Sequence, residues 1–230
     1  MKIIVGVTGA SGSIYGARFL EVLHEAYPEV ESHLVVSRAG RRVLLHETDY
    51  DVRDLARWAG AVHSETDIGA EPASGSAGFD AMVIVPCSVK TLGLIASGTG
   101  DTLVGRAADV ILKEGRRLVL VVREMPLSAI HLENMLKLSR LGVMILPASP
   151  GFYFYPKTMA DLVDNVVHSC QVLLRRFQLQ LGGATPALVF SHAGSLLKQL
   201  ATFGGSSAKN LTNLPLLNHG VRLYANTRIH

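Results

Sequence analysis

Short apolar runs alternate with amphipathic segments along most of the chain. The first run, residues 2–7, is rich in β-branched residues and stops at Thr8-Gly9, a pattern typical of a strand buried on both faces of a parallel sheet. Comparable runs predict further strands at residues 32–36, 81–85, 117–122 and 143–146.

Segments with helical spacing follow the apolar runs. They predict helices at residues 14–26, 38–46, 51–58, 89–97, 105–114, 128–140 and 158–178. This alternation predicts an α/β fold with a Rossmann-like, doubly wound parallel sheet in three α/β/α layers. In such folds, ligands bind outside the carboxyl ends of the strands, near the point where the strand order reverses.

The last fifty residues lose this pattern. A chain of 230 residues with 48% hydrophobic content fits one domain, so we predict one α/β domain over residues 1–180 and an extension over residues 181–230. No acidic residue follows Asp164, which makes the extension basic. Because the aromatic residues of nucleic-acid-binding stretches are missing, we expect a solvated tail that contacts another subunit and no nucleic-acid partner.

Cysteine and histidine usage narrows the chemistry. Two cysteines form no disulfide framework, and the first apolar run is too short for a signal peptide or a membrane span, which predicts a cytoplasmic protein without a membrane partner. The nine histidines lack metal-ligand spacing, so no metal is expected. Cys87 has no histidine nearby in sequence, which favours a packing role over a nucleophilic one.

Polar clusters follow the predicted strands, at Thr8–Gly12, Ser37-Arg38, Cys87–Thr91, Arg123-Glu124 and Tyr153. The carboxyl ends of parallel strands share one edge, so these segments are expected to converge on one ligand. The first glycine loop would bring amide groups and a helix N-terminus to a phosphate, and its alternative interpretation is a tight turn without a ligand.

The end of the second predicted strand disfavours NAD, because no acidic residue stands there to hold the ribose. A hydroxyl beside an arginine, Ser37-Arg38, suits the phosphate of FMN or the extra phosphate of NADP. An NADP-dependent reductase is therefore an alternative, with Tyr153 and Lys157 as its pair, but Pro156 between them breaks the helix that this family requires.

Several motifs occur together in order and resemble the UbiX-like flavin prenyltransferases, formerly described as aromatic-acid decarboxylases. The resemblance covers residues 2–168 and rests on Thr8–Gly12, Glu47–Asp49, Ala73–Ser76, Pro86–Thr91, Arg106–Val110, Leu112–Glu114, Arg123-Glu124, His131–Leu136, Ile145–Pro147 and Gly151–Tyr153.

The resemblance implies that the protein transfers a dimethylallyl group from dimethylallyl phosphate to N5 and C6 of reduced FMN, without a metal. It implies FMN contacts from Gly9, Ala10, Ser11, Ser37, Ser88, Val89, Lys90, Thr91 and Arg123. Glu124 would move protons, with Ser11 and Glu47 as relays or positioners, and the donor phosphate would lie near Arg106, Lys113 and Tyr153. Arg106 and Lys113 are two helical turns apart on one face, which also fits a solvated basic stripe. The family further implies a homo-oligomer with sites between subunits and a UbiD-type decarboxylase that uses the product.

One position departs from the family pattern. Counting on from Tyr153 places Ser169 where these enzymes usually carry an arginine that grips the donor phosphate, and the loss of a charged hydrogen bond there is worth about 1.5–3 kcal/mol. Phe154-Tyr155 likewise makes the pocket more apolar. An FMN-binding carrier without transferase activity is therefore the second hypothesis.

Overall fold

The computed structural model of the protein describes residues 1–180 and the side chains of residues 1–172. Its strands are β1 (Lys2–Val7), β2 (Glu31–Val36), β3 (Ala61–His63), β4 (Ala81–Cys87), β5 (Arg117–Val122) and β6 (Met144–Pro147). They form one parallel sheet in the order β3-β2-β1-β4-β5-β6. The strand order reverses between β1 and β4, and the predicted Rossmann-like, doubly wound sheet is thereby confirmed.

Helices cover both faces of the sheet. They are α1 (Ser13–Ala26), α2 (Arg38–Glu47), α3 (Val52–Ala56), α4 (Val89–Ser97), α5 (Leu103–Lys113), α6 (Ala129–Arg140) and α7 (Met159–Gln180), with short 3-10 turns at Glu71–Ala73 and Gly75–Ala77. Phe19 of α1, Leu44 of α2 and Val166 of α7 are buried in one core cluster. Leu92 of α4 and Leu138 of α6 are buried in a second cluster. Since alternate strand residues enter the two clusters, both faces of the sheet are apolar, as the sequence predicts.

Helix starts follow local capping chemistry. Ser37, Ser88, Thr102 and Ser128 each accept a hydrogen bond from an amide of the first helical turn that follows. Asp51 forms a capping box with Asp54, which fixes the start of α3 at Val52.

The edge strand β3 was not predicted from the sequence. It has three residues and, within residues 1–180, pairs with β2 alone, with Ala61 opposite His33. A three-residue strand has too few positions to show a period, and its burial is partial. The predicted extension, residues 181–230, lies outside the described residues, so the boundary at residue 180 stays a prediction. Within residues 1–180, no helix has both the length and the apolar content needed to cross a membrane.

An ion pair anchors the last helix to the first. Arg18 of α1 donates from Nε to Asp164 Oδ1 of α7 at 2.7 Å and from Nη2 to Asp164 Oδ2 at 3.3 Å. Its Nη1 donates to Glu21 at 2.8 Å. This bidentate pair holds α7 against α1. It thereby positions the loop before α7 beside the sheet.

Candidate functional site

Backbone hydrogen bonds join the loops at the carboxyl edge of the sheet. The amide of Ser37 donates to the carbonyl of Val7 at 2.9 Å, which links the ends of β2 and β1. The amide of Arg123 donates to the carbonyl of Cys87 at 3.3 Å, which links the ends of β5 and β4. The predicted polar segments after these four strands therefore lie along one edge.

Thr8 connects the two halves of the sheet at the point where the strand order reverses. Its side chain is buried, its Oγ1 donates to the carbonyl of Pro86 at 2.9 Å, and the same oxygen accepts from the amide of Ser88 at 2.9 Å. Sequence analysis included Thr8 only as part of the glycine loop. Its partners lie 78 and 80 residues away, and no local pattern indicates them.

The glycine loop is shaped by packing within the chain. A Cβ atom at Gly9 would lie 2.5 Å from Cβ of Ala39, so glycine is needed there for the approach of α2. Gly12 has a φ of 98°, in the left-handed region that favours glycine. The close approach that we attributed to a ligand phosphate is thus, at Gly9, an approach to Ala39.

Glu47, the last residue of α2, occupies the N-terminus of α1. Its Oε2 accepts from the amides of Gly12 at 2.7 Å and Ser13 at 3.2 Å, and from Oγ of Ser13 at 3.1 Å. Burial raises the pKa of this carboxyl, but hydrogen bonds from the Ser11 side chain and from Gly12 and Ser13 outweigh burial and leave the pKa below its usual value.

This arrangement changes the role of the first helix. The amides that we expected to hold a phosphate already bind the Glu47 carboxylate, which completes the cap that Gly12 does not provide. The structure therefore assigns no free phosphate site to these two amides. It does place Ser11 and Glu47, two of the three predicted catalytic residues, in contact with each other.

Two serines predicted to contact FMN cap the N-termini of α2 and α4. Oγ of Ser37 accepts from the amide of Gly40 at 2.9 Å, and Ser37 is buried. Oγ of Ser88 accepts from the amide of Thr91 at 3.2 Å and lies 3.0 Å from Oγ1 of Thr91. Lys90, between these two, is exposed. The half-buried Val89 and the buried Ala10 complete this part of the predicted set.

Arg123 and Glu124 follow β5 at the same edge, and both are exposed. Oε1 of Glu124 accepts from the amide of Met125 at 3.0 Å, and within the described residues no cationic side chain pairs with it. Tyr15 of α1 lies near Arg123. Burial raises the pKa of Tyr15, while the positive charge of Arg123 lowers it, with a net increase. Sequence analysis did not select Tyr15.

The two basic residues of α5 are separated along the helix. Leu103 donates its amide to the carbonyl of Glu65 at 2.8 Å, and the Glu65 carboxylate accepts from the amide of Arg38, so α5 begins near the carboxyl edge. Its eleven residues span about 16 Å, and Lys113 ends the helix, just before β5 starts at the opposite edge.

Both basic side chains are exposed and paired with an acidic neighbour. Arg106 Nη1 lies 3.3 Å from Asp109 Oδ2, and Lys113 Nζ lies 2.8 Å from Glu114 Oε1. Within one chain, the structure does not bring Lys113 to the edge that carries the glycine loop.

Tyr153 lies in the exposed loop between β6 and α7. Lys157 is in the same loop, ahead of the first turn of α7, so these two residues do not share a helical face and the reductase geometry is absent. Ser169, on α7, donates its hydroxyl to the carbonyl of Asn165 at 3.0 Å. This hydroxyl is bound to its own helix and does not replace the charge of a guanidinium.

The two cysteines are packed in the core. Cys87 and Cys170 are fully buried, and burial raises the pKa of both thiols, that of Cys170 to about 12. A thiol held protonated is a weak nucleophile, which agrees with the predicted packing role of Cys87. Among residues 1–180, no three histidine, cysteine or acidic side chains are grouped as a metal site requires.

Comparison with known proteins shows the family. Residues 1–171 match the family model described as Flavoprotein. A probable UbiX-like flavin prenyltransferase of Escherichia coli O157:H7 is 53% identical over 167 residues, which cover 73% of this chain and 84% of that protein.

Two solved structures share both fold and sequence. A dodecameric FMN-dependent UbiX-like decarboxylase from Escherichia coli O157:H7 has a TM-score of 0.73 and 50% identity, over 81% of this chain and 97% of that chain. AnUbiX (PadA1), solved in complex with FMN and dimethylallyl pyrophosphate, has a TM-score of 0.72 and 45% identity, over 75% of this chain and 90% of that chain. The chain belongs to the flavoprotein family and, within it, to the UbiX-like flavin prenyltransferases.

Proposed function

We propose that this protein is a flavin prenyltransferase that moves a dimethylallyl group from dimethylallyl phosphate to N5 and C6 of reduced FMN. The observation that carries the proposal is the hydrogen-bonded edge of the sheet along which Ser37, Ser88 and Arg123 lie, in a chain that is 53% identical to a UbiX-like relative.

The residues at this edge fit a flavin mononucleotide. Hydroxyl groups and the exposed cations of Lys90 and Arg123 suit a phosphate and the polar rim of the isoalloxazine, and the half-buried ring of Tyr15 beside Arg123 offers an apolar surface. Reduced FMN supplies the nucleophilic N5 and C6 atoms when bound. Overall, the carbon–oxygen bond of the allylic phosphate and the N5–H bond break as the carbon–N5 bond forms, and inorganic phosphate leaves with that proton. The prenyl double bond and the C6–H bond break as the second carbon bond, to C6, forms, and the C6 proton moves to the neighbouring prenyl carbon.

Proton transfer is assigned to Glu124. Its carboxylate is exposed next to Arg123, at the edge of the sheet where we place the flavin. Glu47 accepts three hydrogen bonds from Gly12 and Ser13 and a further one from Ser11, which keeps it ionised and holds the Ser11 hydroxyl in a fixed orientation. Glu47 is thus a positioning residue for Ser11, and Ser11 is the group that faces the ligand.

The donor phosphate requires cations that one chain does not gather. Arg106 and Lys113 are exposed on α5, and the side chains of their acidic partners are 49% and 35% exposed, so a ligand phosphate can exchange for those carboxylates at small cost. Fixed cations on the leaving oxygen lower the barrier to ionisation of an allylic phosphate, and aromatic faces shelter the positive charge that develops on the prenyl group.

We therefore place Arg106 and Lys113 in the site of a neighbouring subunit. Phe152 and Tyr153 are 71% and 73% exposed, and Met125 is 82% exposed. The loops that follow β5 and β6 therefore present apolar surface that a second copy of the chain would bury. The dodecameric state of the Escherichia coli relative supports such an assembly. In this proposal the product serves a UbiD-type decarboxylase, and both act in the cytoplasm.

The test is anaerobic incubation of the purified protein with reduced FMN and dimethylallyl phosphate, followed by mass spectrometry of the extracted flavin. Wild type is expected to increase the flavin mass by one prenyl unit. Glu124→Gln is expected to bind FMN without this increase, and Glu29→Gln, an exposed glutamate outside the site, is expected to behave as wild type. Bound FMN of unchanged mass in every variant would indicate a flavin carrier, and no binding would contradict the whole assignment.

A further inference from the structure

We propose that Asn165 is a positioning residue that orients Tyr153 for the prenyl donor by holding the amide of Gly151. This inference rests on the proposed function, because Tyr153 matters there only as a contact of the donor phosphate. It names a residue that neither the motifs nor the family resemblance selects.

The geometry links helix α7 to the aromatic loop. The amide of Gly151 donates to Oδ1 of Asn165 at 3.0 Å, across fourteen residues of chain. An amide needs an acceptor, which fixes the carboxamide with its oxygen toward Gly151. A Cβ atom at Gly151 would lie 2.7 Å from Cε1 and 2.9 Å from Cδ1 of Tyr153, so the tyrosine ring covers the glycine that Asn165 holds.

Tyr153 has little packing of its own to fix its orientation. It is 73% exposed, and its ring contact is an edge-on one with Phe154 at 5.8 Å, within the same loop. The orientation of the ring therefore depends on where the backbone at Gly151 is held. The bond to Asn165 ties this backbone to helix α7.

The helix end of this link is packed in the core and ion-paired to α1. Val163 and Val166, which flank Asn165, are buried in the core, and the neighbouring Asp164 is bound by Arg18 of α1. Helix α1 begins at the glycine loop, so the link fixes Tyr153 relative to the flavin side of the site. The hydroxyl of Ser169 also donates to the carbonyl of Asn165, one turn away. Ser169 occupies the position where the family usually carries an arginine, so this position lies next to Asn165 on α7.

Three variants separate the parts of this link. Asn165→Leu removes the acceptor with similar volume, and Asn165→Asp retains an acceptor. Gly151→Ala keeps the hydrogen bond but pushes the tyrosine ring away through its methyl group. Each is compared with wild type by hydrogen exchange of peptides that cover residues 149–156, by FMN affinity, and by the KM and kcat for dimethylallyl phosphate.

Asn165→Leu is expected to accelerate exchange in this peptide and to raise the donor KM by roughly fivefold, the worth of one neutral hydrogen bond. Its kcat at saturating donor is expected to change by less than about twofold, because the lost interaction stabilises the bound donor and the transition state equally. Its FMN affinity is also expected to change by less than about twofold, because the residues that we place at the flavin are unchanged. Asn165→Asp should restore protection from exchange. Gly151→Ala should raise the donor KM while the protection stays as in wild type.

Unchanged exchange in Asn165→Leu would overturn the structural part of the inference. Faster exchange with an unchanged donor KM would overturn the functional part, since the loop would then be held for a reason unrelated to the donor. A wild-type protein that transfers no prenyl group contradicts the proposed function instead, and the exchange comparison then still decides whether Asn165 holds the loop.

Discussion

Replacement of Thr8 by valine tests whether the Thr8 hydroxyl joins the loops that form the proposed flavin site. Valine has the shape of threonine but neither donates nor accepts a hydrogen bond. The buried hydroxyl of Thr8 donates to the carbonyl of Pro86 and accepts from the amide of Ser88, both at 2.9 Å. The carbonyl of Pro86 keeps a second donor, the Thr8 amide at 3.2 Å, whereas the amide of Ser88 loses its acceptor.

The expected cost follows from these partners. The lost hydrogen bond to Pro86 contributes about 1 kcal/mol, and the Ser88 amide left without its acceptor costs about 1–3 kcal/mol, so the free energy of unfolding should fall by about 2–4 kcal/mol. Thr8→Ser is the matched control, because it keeps both hydrogen bonds and loses one methyl group, worth about 0.8 kcal/mol.

The assay is urea unfolding of the three proteins at one protein concentration, with FMN affinity measured on the folded samples. We expect Thr8→Val to be clearly less stable than Thr8→Ser and to bind FMN more weakly, because Ser88 is displaced. Equal stability of the two variants would refute the conclusion that this hydroxyl joins the two halves of the sheet.

Three further predictions concern charge at and away from the site. Ser169→Arg supplies the missing guanidinium and should lower the donor KM by about tenfold or more, the worth of a charged hydrogen bond; an unchanged KM in steady-state assays would place the donor phosphate elsewhere. Glu47→Gln removes the negative charge from the N-terminus of α1, and prenyl transfer should slow while FMN still binds, which single-turnover mass spectrometry measures. Burial, followed by the nearby His33 ring, lowers the pKa of His63, so the unfolded chain takes up a proton that the native state excludes. The contribution of neutral His63 to the free energy of unfolding is thus fully present above the ordinary histidine pKa of about 6.5 and is lost as the pH falls toward the lowered pKa. Unfolding midpoints measured at several pH values should therefore decrease less toward acid pH in His63→Gln than in wild type.

The sheet was predictable because its strands are continuous apolar runs. A parallel strand with helices on both sides buries every side chain, as β4 does over Ala81–Cys87, and this leaves a clear signal in the sequence. The three residues of β3 leave none. Helix starts were also readable, because residues such as Ser88 and Ser128 cap the segment that follows them.

The site was predictable only in part. The residues after each strand could be grouped, since parallel strands end at one edge. Local patterns could not place Glu47, which only the family resemblance grouped with Ser11, because the amides that it binds lie 35 and 34 residues earlier in the chain. Gly9 illustrates a second limit, since a glycine needed for a ligand and a glycine needed for Ala39 look the same in sequence.

The most direct test of the assignment is equilibrium titration of FMN into wild type, Arg123→Leu and Arg140→Leu. Both arginines are exposed, but Arg123 follows the carboxyl end of β5, whereas Arg140 ends α6. We expect wild type to bind FMN, Arg123→Leu to bind it about tenfold or more weakly through loss of a charged contact, and Arg140→Leu to bind it as wild type does. Absence of FMN binding in wild type, or equal effects of the two substitutions, would contradict a flavin site at this edge of the sheet.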